Sequence, residues 1–476
     1  MHERTFSLHR MGPLHPNSPL AFIVPLTVAF LMTVPAPATA ADLLPFQQYT
    51  LSNGLTVILH KDQTSSVAAL MMMYHVGSKN EKPGRTGFAH LFEHVMFKGS
   101  AHVADGEHFK LLQEVGGNIN GSTSEDRTNY FEVVPSNYLE LALYLESDRM
   151  GYLLDAVNQA KLDNQRDVVK NERRQNYDNQ PYGTAYEKIA KALYPPDHPY
   201  SWPVIGSMAD LSAAALEDVK QFFRTYYAPN NACLVITGNF DEGQAKQWIE
   251  KYFGPIPRGA AFDRPKAWPV RLEADKRLVF EDKVQLPRLY MTWPSARMNT
   301  REDAVLDVLS DILGSGKNSR LYKALVYEKQ IAQSVSCGQG GSEIAGEFQI
   351  TVTAKPGKSL AEMEKAVTEE LDKLLKGGVT QREIETSLNN LEARRINGIA
   401  TALGQSSVLA TYFTLTGDAE NFNREPERYK GITPEEVLQQ AHAVLQSHDV
   451  ALSIVPLGKT ELSADAPAGT GKEMPK

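Results

Sequence analysis

The sequence predicts an α+β protein of two homologous lobes, each a mostly antiparallel sheet with helices packed on it. Three observations predict it. Short apolar runs of strand character alternate with stretches of helical periodicity. The same order of elements occurs on both sides of a proline-rich stretch that holds Pro255, Pro257, Pro265 and Pro269. The two halves also close alike, with LEDVKQFFRTYYAPNNACLVITGNF in the first and PEEVLQQAHAVLQSHDVALSIVPLG in the second.

In order, residues 49–60 read as a hairpin turning at Asn53-Gly54, the strongest short hairpin signal. Residues 67–75 are apolar at nearly every position, so this strand is predicted central in its sheet. A helix over 87–97 follows, then one over 107–115. Gly116 to Thr123 forms a turn entering a strand, and 128–134 is another strand. Helices are predicted over 138–155, 162–175 and 216–227, then an apolar strand over 232–238 and a helix over 242–253. The second half offers strands at 277–281, 288–293, 348–354 and 450–455. Its helices fall at 303–313, 319–328, 360–376, 381–401 and 434–445. The predicted domains are therefore 41–256 and 276–458, with a linker over 257–275 and a tail from 459 rich in Ala, Gly, Ser and Pro, expected to be disordered.

The N-terminus has the form of an export signal. Arg4 and Arg10 precede an apolar run over 20–34, and Ala38-Thr39-Ala40 offers a small-residue cleavage site. Pro25 and the short apolar core argue against a membrane-spanning helix, and Met11 is an alternative start. The expectation is a periplasmic chain cleaved after Ala40. The formal net charge is −8, and residues 1–40 carry +1, which leaves −9 on the remainder. An acidic chain without a basic tract is a poor nucleic-acid binder. Two cysteines, Cys233 and Cys337, exclude a disulfide framework and are read as free.

The chemistry centres on Gly87-Phe88-Ala89-His90-Leu91-Phe92-Glu93-His94-Val95-Met96-Phe97. In a helix, His90 and His94 lie one turn apart on one face, with Glu93 beside them and apolar residues around. Two neutral imidazoles at that spacing can chelate a divalent ion, and a neighbouring carboxylate can take a proton from water. H-x-x-E-H is the inverted zincin pattern. A catalytic zinc takes three protein ligands, and the best third candidate is Glu172, in QRDVVKNERR. By spacing alone Glu172 reads more readily as a solvated charge on a helix that also carries Asp167, Lys170, Arg173 and Arg174. The second half has no equivalent of the motif, so only one lobe can hold the ion.

HLFEH followed by a Glu in a QRDVVKNE helix resembles the pitrilysin/insulinase (M16) family of zinc peptidases, in its short bacterial processing-peptidase-like branch (M16B). The resemblance extends to the Asn53-Gly54 hairpin, GG-x-x-N-x-x-T (Gly116 to Thr123), Arg127-Thr128-x-Tyr130, His198-Pro199-Tyr200 with Ile205-Gly206, Tyr227-x-Pro229-x-Asn231 and Ser319-Arg320-Leu321-Tyr322. It implies one Zn2+ per chain on His90, His94 and Glu172, and Glu93 as general base. It also implies two lobes forming half of a clamshell. Gln165 stands where many members have a second Glu and is expected to support the site. The strand entered by Asn120, Gly121 and Ser122 is expected to receive the peptide substrate as an added strand, and Phe97 to line a side-chain pocket or the core.

One departure matters. Active single-chain relatives supply an Arg and, seven residues on, a Tyr from the second lobe. Here Val326 and Gln333 occupy those positions. Val cannot donate a hydrogen bond, and loss of such a donor commonly costs ~10²–10³ in rate. The expected function is a zinc endopeptidase, the catalytic subunit of a heterodimer whose homologous partner carries the Arg/Tyr pair. The alternatives are a noncatalytic peptide-binding or assembly subunit, and a homodimeric peptidase using Gln333 or Arg320.

Overall fold

In the computed structural model, which describes residues 43–465, the chain builds two mixed sheets. The predicted export signal at 1–40 and the tail beyond Asp465 lie outside the described residues. The first sheet holds β1 (Gln47–Thr50), β2 (Thr56–Lys61), β3 (Val67–Tyr74), β4 (Asn118–Thr123), β5 (Thr128–Pro135) and β6 (Ala232–Gly238). Their spatial order is β1-β2-β6-β3-β5-β4. The second holds β7 (Lys276–Asp282), β8 (Arg288–Ser295), β9 (Ala332–Gly341), β10 (Gly346–Ala354) and β11 (Val450–Pro456), in the order β7-β11-β8-β10-β9. Without β1 the two orders are the same: the first strand of each half lies parallel to the last, β2 to β6 and β7 to β11, and every other pairing is antiparallel. The repeat visible in the sequence is thus a repeat of topology.

The helices of the first lobe are α1 (Phe88–Val95), α2 (Glu107–Glu114), α3 (Leu139–Ala156), α4 (Gln159–Arg173), α5 (Ala185–Leu193), α6 (Met208–Ala213), α7 (Leu216–Tyr226) and α8 (Glu242–Phe253). Those of the second are α9 (Arg301–Gly314), α10 (Leu360–Gly377), α11 (Gln381–Gly398), α12 (Ala402–Thr416), α13 (Asn421–Tyr429) and α14 (Pro434–Leu445). No helix among the described residues is long and apolar enough to cross a membrane.

The composition of β3 has a packing cause. Its alternate residues Ala68, Leu70, Met72 and Tyr74 point into the core beneath α1, α3 and α7, and Met71 and Met73 point to the opposite face. That opposite face is covered by α12 of the second lobe, through Leu409 and Ala410. The exchange is reciprocal: Ala185 and Ile189 of α5 pack on Tyr290, Leu452 and Ile454 of the second sheet. Each sheet is therefore apolar on both faces because each borrows a helix from the other half.

Several features depart from the sequence reading, and the short helices α5, α6 and α13 were not predicted. The edge strand β9 (AQSVSCGQGG) was not predicted, because its glycines and polar alternation carry little strand propensity. Helix α12 was not predicted, and α11 ends earlier than the expected 381–401 helix. The stretch at 319–328 forms a π-helix over Tyr322–Glu328. The tail expected to be disordered from 459 is ordered as far as Asp465. A 3-10 turn spans Thr460–Leu462, and Asp465 accepts a hydrogen bond of 2.9 Å from Arg277. Residues 257–275 carry no helix or strand. Both cysteines are free, as expected.

Candidate metal centre

Helix α1 starts abruptly. Gly87, its N-cap, sits at φ 86, a left-handed conformation that suits a residue without Cβ. The open amides of the first turn are met by a side chain from outside the helix: Gly87 N and Ala89 N donate to the Glu81 carboxylate at 2.9 and 2.8 Å. Ile205-Gly206 closes over the same point. A Cβ on Gly206 would lie 2.4 Å from Gly87 Cα, and Gly206 itself has φ 76. The glycines of two distant motifs are thus required by one close backbone approach.

From this start the helix presents His90 and His94 on one face, their ring centroids 4.8 Å apart and inclined at 75°. Glu172, in the last turn of α4, reaches them. Its Oε2 lies 3.2 Å from His94 Nε2 and 3.7 Å from His90 Nε2. One donor atom from each of the three residues falls within 4.8 Å of the others. The fit to a divalent ion rests on the protonation states as well as the spacing. Burial, with the neighbouring His94, holds His90 down at about 4, so its ring is neutral at physiological pH. The hydrogen bond with His94 holds Glu172 below the usual carboxylate range. A neutral imidazole and an ionised carboxylate are the forms that ligate. His90 Nδ1 is buried without a hydrogen-bond partner among the described residues.

Glu93 is displaced around the helix from the two histidines. Its Oε2 accepts a hydrogen bond of 2.6 Å from Thr123 Oγ1, the last residue of β4. Burial raises its pKa, opposed by that hydrogen bond. Thr123 was not singled out from the sequence, although it ends the GG-x-x-N-x-x-T signature that could have flagged it. Glu81 was likewise missed, since a cap supplied from before the helix has no spacing signal.

The remaining predicted residues occupy distinct places. Gln165 is buried in α4 and donates to Asn164 Oδ1 at 2.6 Å; no hydrogen bond joins it to His90, His94 or Glu172 among the described residues. Asn120, Gly121 and Ser122 lie on β4, which pairs only with β5 and is an edge of the sheet. Asn120 is exposed, and Ser122 donates to Asn129 while accepting from Arg127. A Cβ on Gly121 would meet the Tyr130 ring at 3.0 Å, so its small size serves the neighbouring strand. Phe97 is half-buried among Phe109, Tyr130 and the Arg149 guanidinium, which lies 5.0 Å from its ring centre. In the second lobe Val326 packs against the core and Gln333 is exposed on β9. Arg320 is committed to Glu383 through two hydrogen bonds of 2.7 and 2.8 Å.

A two-lobed α+β fold with an H-x-x-E-H helix met by a distant glutamate defines a class, and comparison with known proteins gives the same class. Residues 56–198 match the family described as insulinase (peptidase family M16), and residues 213–391 match the M16 "inactive domain". The chain is 30% identical over 392 residues to a protein named zinc protease PqqE from Helicobacter pylori, covering 81% of this chain and 88% of that one. It is 24% identical to an uncharacterized zinc protease, YmxG, of Bacillus subtilis, covering 73% and 82%. The chain belongs to the M16 family. Among solved structures, a protease from Helicobacter pylori superposes with a TM-score of 0.81 at 26% identity, covering 87% of this chain and all of that one. The periplasmic protease PqqL of Escherichia coli shares the fold with a TM-score of 0.73 at 18% identity; this chain covers 48% of it.

Proposed function

We propose that the chain is a zinc-dependent endopeptidase, with one Zn2+ held by His90, His94 and Glu172 and with Glu93 as general base. The observation that carries this reading is the convergence of His90, His94 and Glu172 on one point beside the half-buried Glu93 carboxylate. Bound there, zinc supplies Lewis acidity to the scissile carbonyl and the attacking water. The chain's own groups do the rest. Glu93 accepts the water proton and returns it to the leaving amine. Thr123 occupies Glu93 Oε2 and so leaves Oε1 to handle that proton. The open edge of β4 at Asn120, Gly121 and Ser122 pairs with the peptide main chain, which makes recognition tolerant of sequence. Gln165 steadies α4 behind Glu172, and Phe97 backs the site from the core.

The oxyanion donors come from a partner. Val326 is apolar and packs against the core, Gln333 is a single exposed amide, and Arg320 is already paired, so the second lobe offers no free Arg/Tyr pair at these positions. A homologous subunit carrying that pair completes a heterodimer. That this chain's fold accounts for about half of PqqL supports a two-part enzyme. The domain limits are 41–256 for the zinc-bearing lobe and 276–458 for the second, after removal of a signal ending at Ala40 and release into the periplasm.

A second reading, a noncatalytic peptide-binding subunit, is favoured by Val326 and Gln333 alone. Metal analysis and peptide hydrolysis by the purified chain, with and without a homologous partner, separate the two. The peptidase reading expects about one zinc per chain and loss of turnover in Glu93→Gln with zinc retained. A metal-free chain that binds peptides without cleaving them overturns it. Full turnover by the lone chain removes the partner.

A further inference from the structure

The two sheets differ at one edge. In the first, β2 would be the outer strand, but β1 lies against it antiparallel, with Gln47 opposite Leu59 and Thr50 opposite Thr56. The matching strand of the second sheet is β7, which pairs with β11 alone among the described residues. Lys276 N donates to Asp449 O at 2.8 Å, on the β11 side. Main-chain groups alternate in direction along a strand, so the N–H and C=O of Arg277, Val279 and Glu281 point away from β11. None of these has a main-chain partner among the described residues.

An open edge is a template for another strand, and proteins commonly blunt it with a proline or a bulge. β7 has neither, and Val279 and Phe280 at its centre are each 38% exposed. It reads Lys276-Arg277-Leu278-Val279-Phe280-Glu281-Asp282, with bases at one end and acids at the other. Laid antiparallel on a second copy and centred on Val279, the strand is complementary to itself. Lys276 falls opposite Asp282 of the second copy, Arg277 opposite Glu281, Leu278 opposite Phe280, and Val279 opposite Val279. Main-chain direction agrees with side-chain charge. The outward-facing residues Arg277, Val279 and Glu281 oppose one another, so each such pair exchanges both of its hydrogen bonds. A slip of two residues either way sets charges against apolar side chains, and an in-register parallel alignment sets like charges opposite each other. Lys276, Glu281 and Asp282 form no ion pair among the described residues, whereas Arg277 is held by Glu364 and Asp465.

We propose that β7 is the contact between two copies of this chain, paired across a two-fold axis so that their five-stranded sheets become one. The first lobe shows the same edge taking an added antiparallel strand, β1, from within the chain. The contact goes beyond the peptidase reading and does not rest on it. β7 is the opposite edge of the sheet from β9, which carries Gln333, so the pairing leaves that edge open.

Sedimentation of the purified chain across the micromolar range tests the contact. A concentration-dependent dimer is expected. Glu281→Lys sets like charges against Arg277 on both sides of the axis, and is expected to weaken the dimer about tenfold or more with Tm and zinc content unchanged. In Val279→Cys the two new thiols meet at the axis, with Cα atoms about 5.5 Å apart, inside the span that a disulfide bridges. Mild oxidation is expected to convert that chain to a covalent dimer, and to leave the parent chain, whose cysteines are Cys233 and Cys337, uncrosslinked. A chain that stays monomeric throughout, a dimer as strong with Glu281→Lys as without it, or a Val279→Cys chain that does not crosslink overturns the proposal. The crosslink is read on a chain that keeps every charge, so a Glu281→Lys chain that fails to fold does not shield it. If a homologous subunit added in excess abolishes the crosslink, β7 belongs to that subunit and the two-copy contact is overturned. Peptide turnover is scored separately, and its presence or absence leaves this result standing.

Discussion

Thr123 Oγ1 donates to one oxygen of Glu93 across 2.6 Å, and this single contact sets how the base is aimed. A hydroxyl-to-carboxylate hydrogen bond is worth about 1.5 kcal/mol or more, close to a factor of ten in rate. Thr123→Val is therefore expected to lower kcat for peptide hydrolysis about tenfold with zinc content unchanged, and Thr123→Ser to restore it. Glu172→Gln acts differently. It removes the charged member of the donor set, so zinc affinity is expected to fall by more than the roughly 10–100-fold that outer supports are worth. Competition with a chelating dye reads that loss. The residues with these roles were unequally legible. His90, Glu93 and His94 announce themselves because helix geometry alone puts side chains four apart on one face. Thr123 does not, because nothing in its spacing from Glu93 says that a strand end will meet a helix.

At the scale of elements, the short helix α1 is held by its surroundings more than by its own eight residues. An isolated helix of that length is marginal in water. Glu81 caps it, and Gly206 packs against Gly87 with no room for a methyl group. Gly206→Ala places a Cβ against backbone in a left-handed conformation, and is expected to cost about 1–3 kcal/mol, seen as a lowered Tm. It should weaken zinc binding too, since the start of α1 must move. Element type was readable where periodicity was strong, as in β3, β6 and α10. It was unreadable for β9, which is a strand because β10 pairs along its whole length. It was unreadable for α12 as well, whose helical face is defined by the sheet it covers.

At the scale of the molecule, the lobes are joined by a buried polar junction as well as by exchanged helices. Glu343, on the β9–β10 turn, reaches across to His75 at 2.7 Å and to Lys79, and its backbone N donates to Asp126 at 2.9 Å. Burial alone would push the Glu343 carboxyl up; the His75 hydrogen bond and the Lys79 charge outweigh it and hold the group down at about 2. A carboxyl depressed in the fold stabilises it above its unfolded pKa and loses that contribution as pH falls through the folded one. Glu343→Gln is therefore expected to cost on the order of 2–3 kcal/mol at pH 7. The gap between the two chains should close as pH drops from about 4.5 toward 2. Urea titrations at a series of pH values check both the sign and the window.

What the sequence determined by itself is what local geometry encodes: the helical pair of imidazoles with Glu93, the Asn53-Gly54 hairpin, the apolar central strand and the doubled order of elements. These depend on residues a few positions apart, or on a repeat visible by eye. Only the tertiary structure decided which groups from distant segments meet. It brought Thr123 to Glu93 and Gly206 to Gly87, and laid α12 over the first sheet. Such meetings depend on how whole layers pack, and no interval along the chain records them.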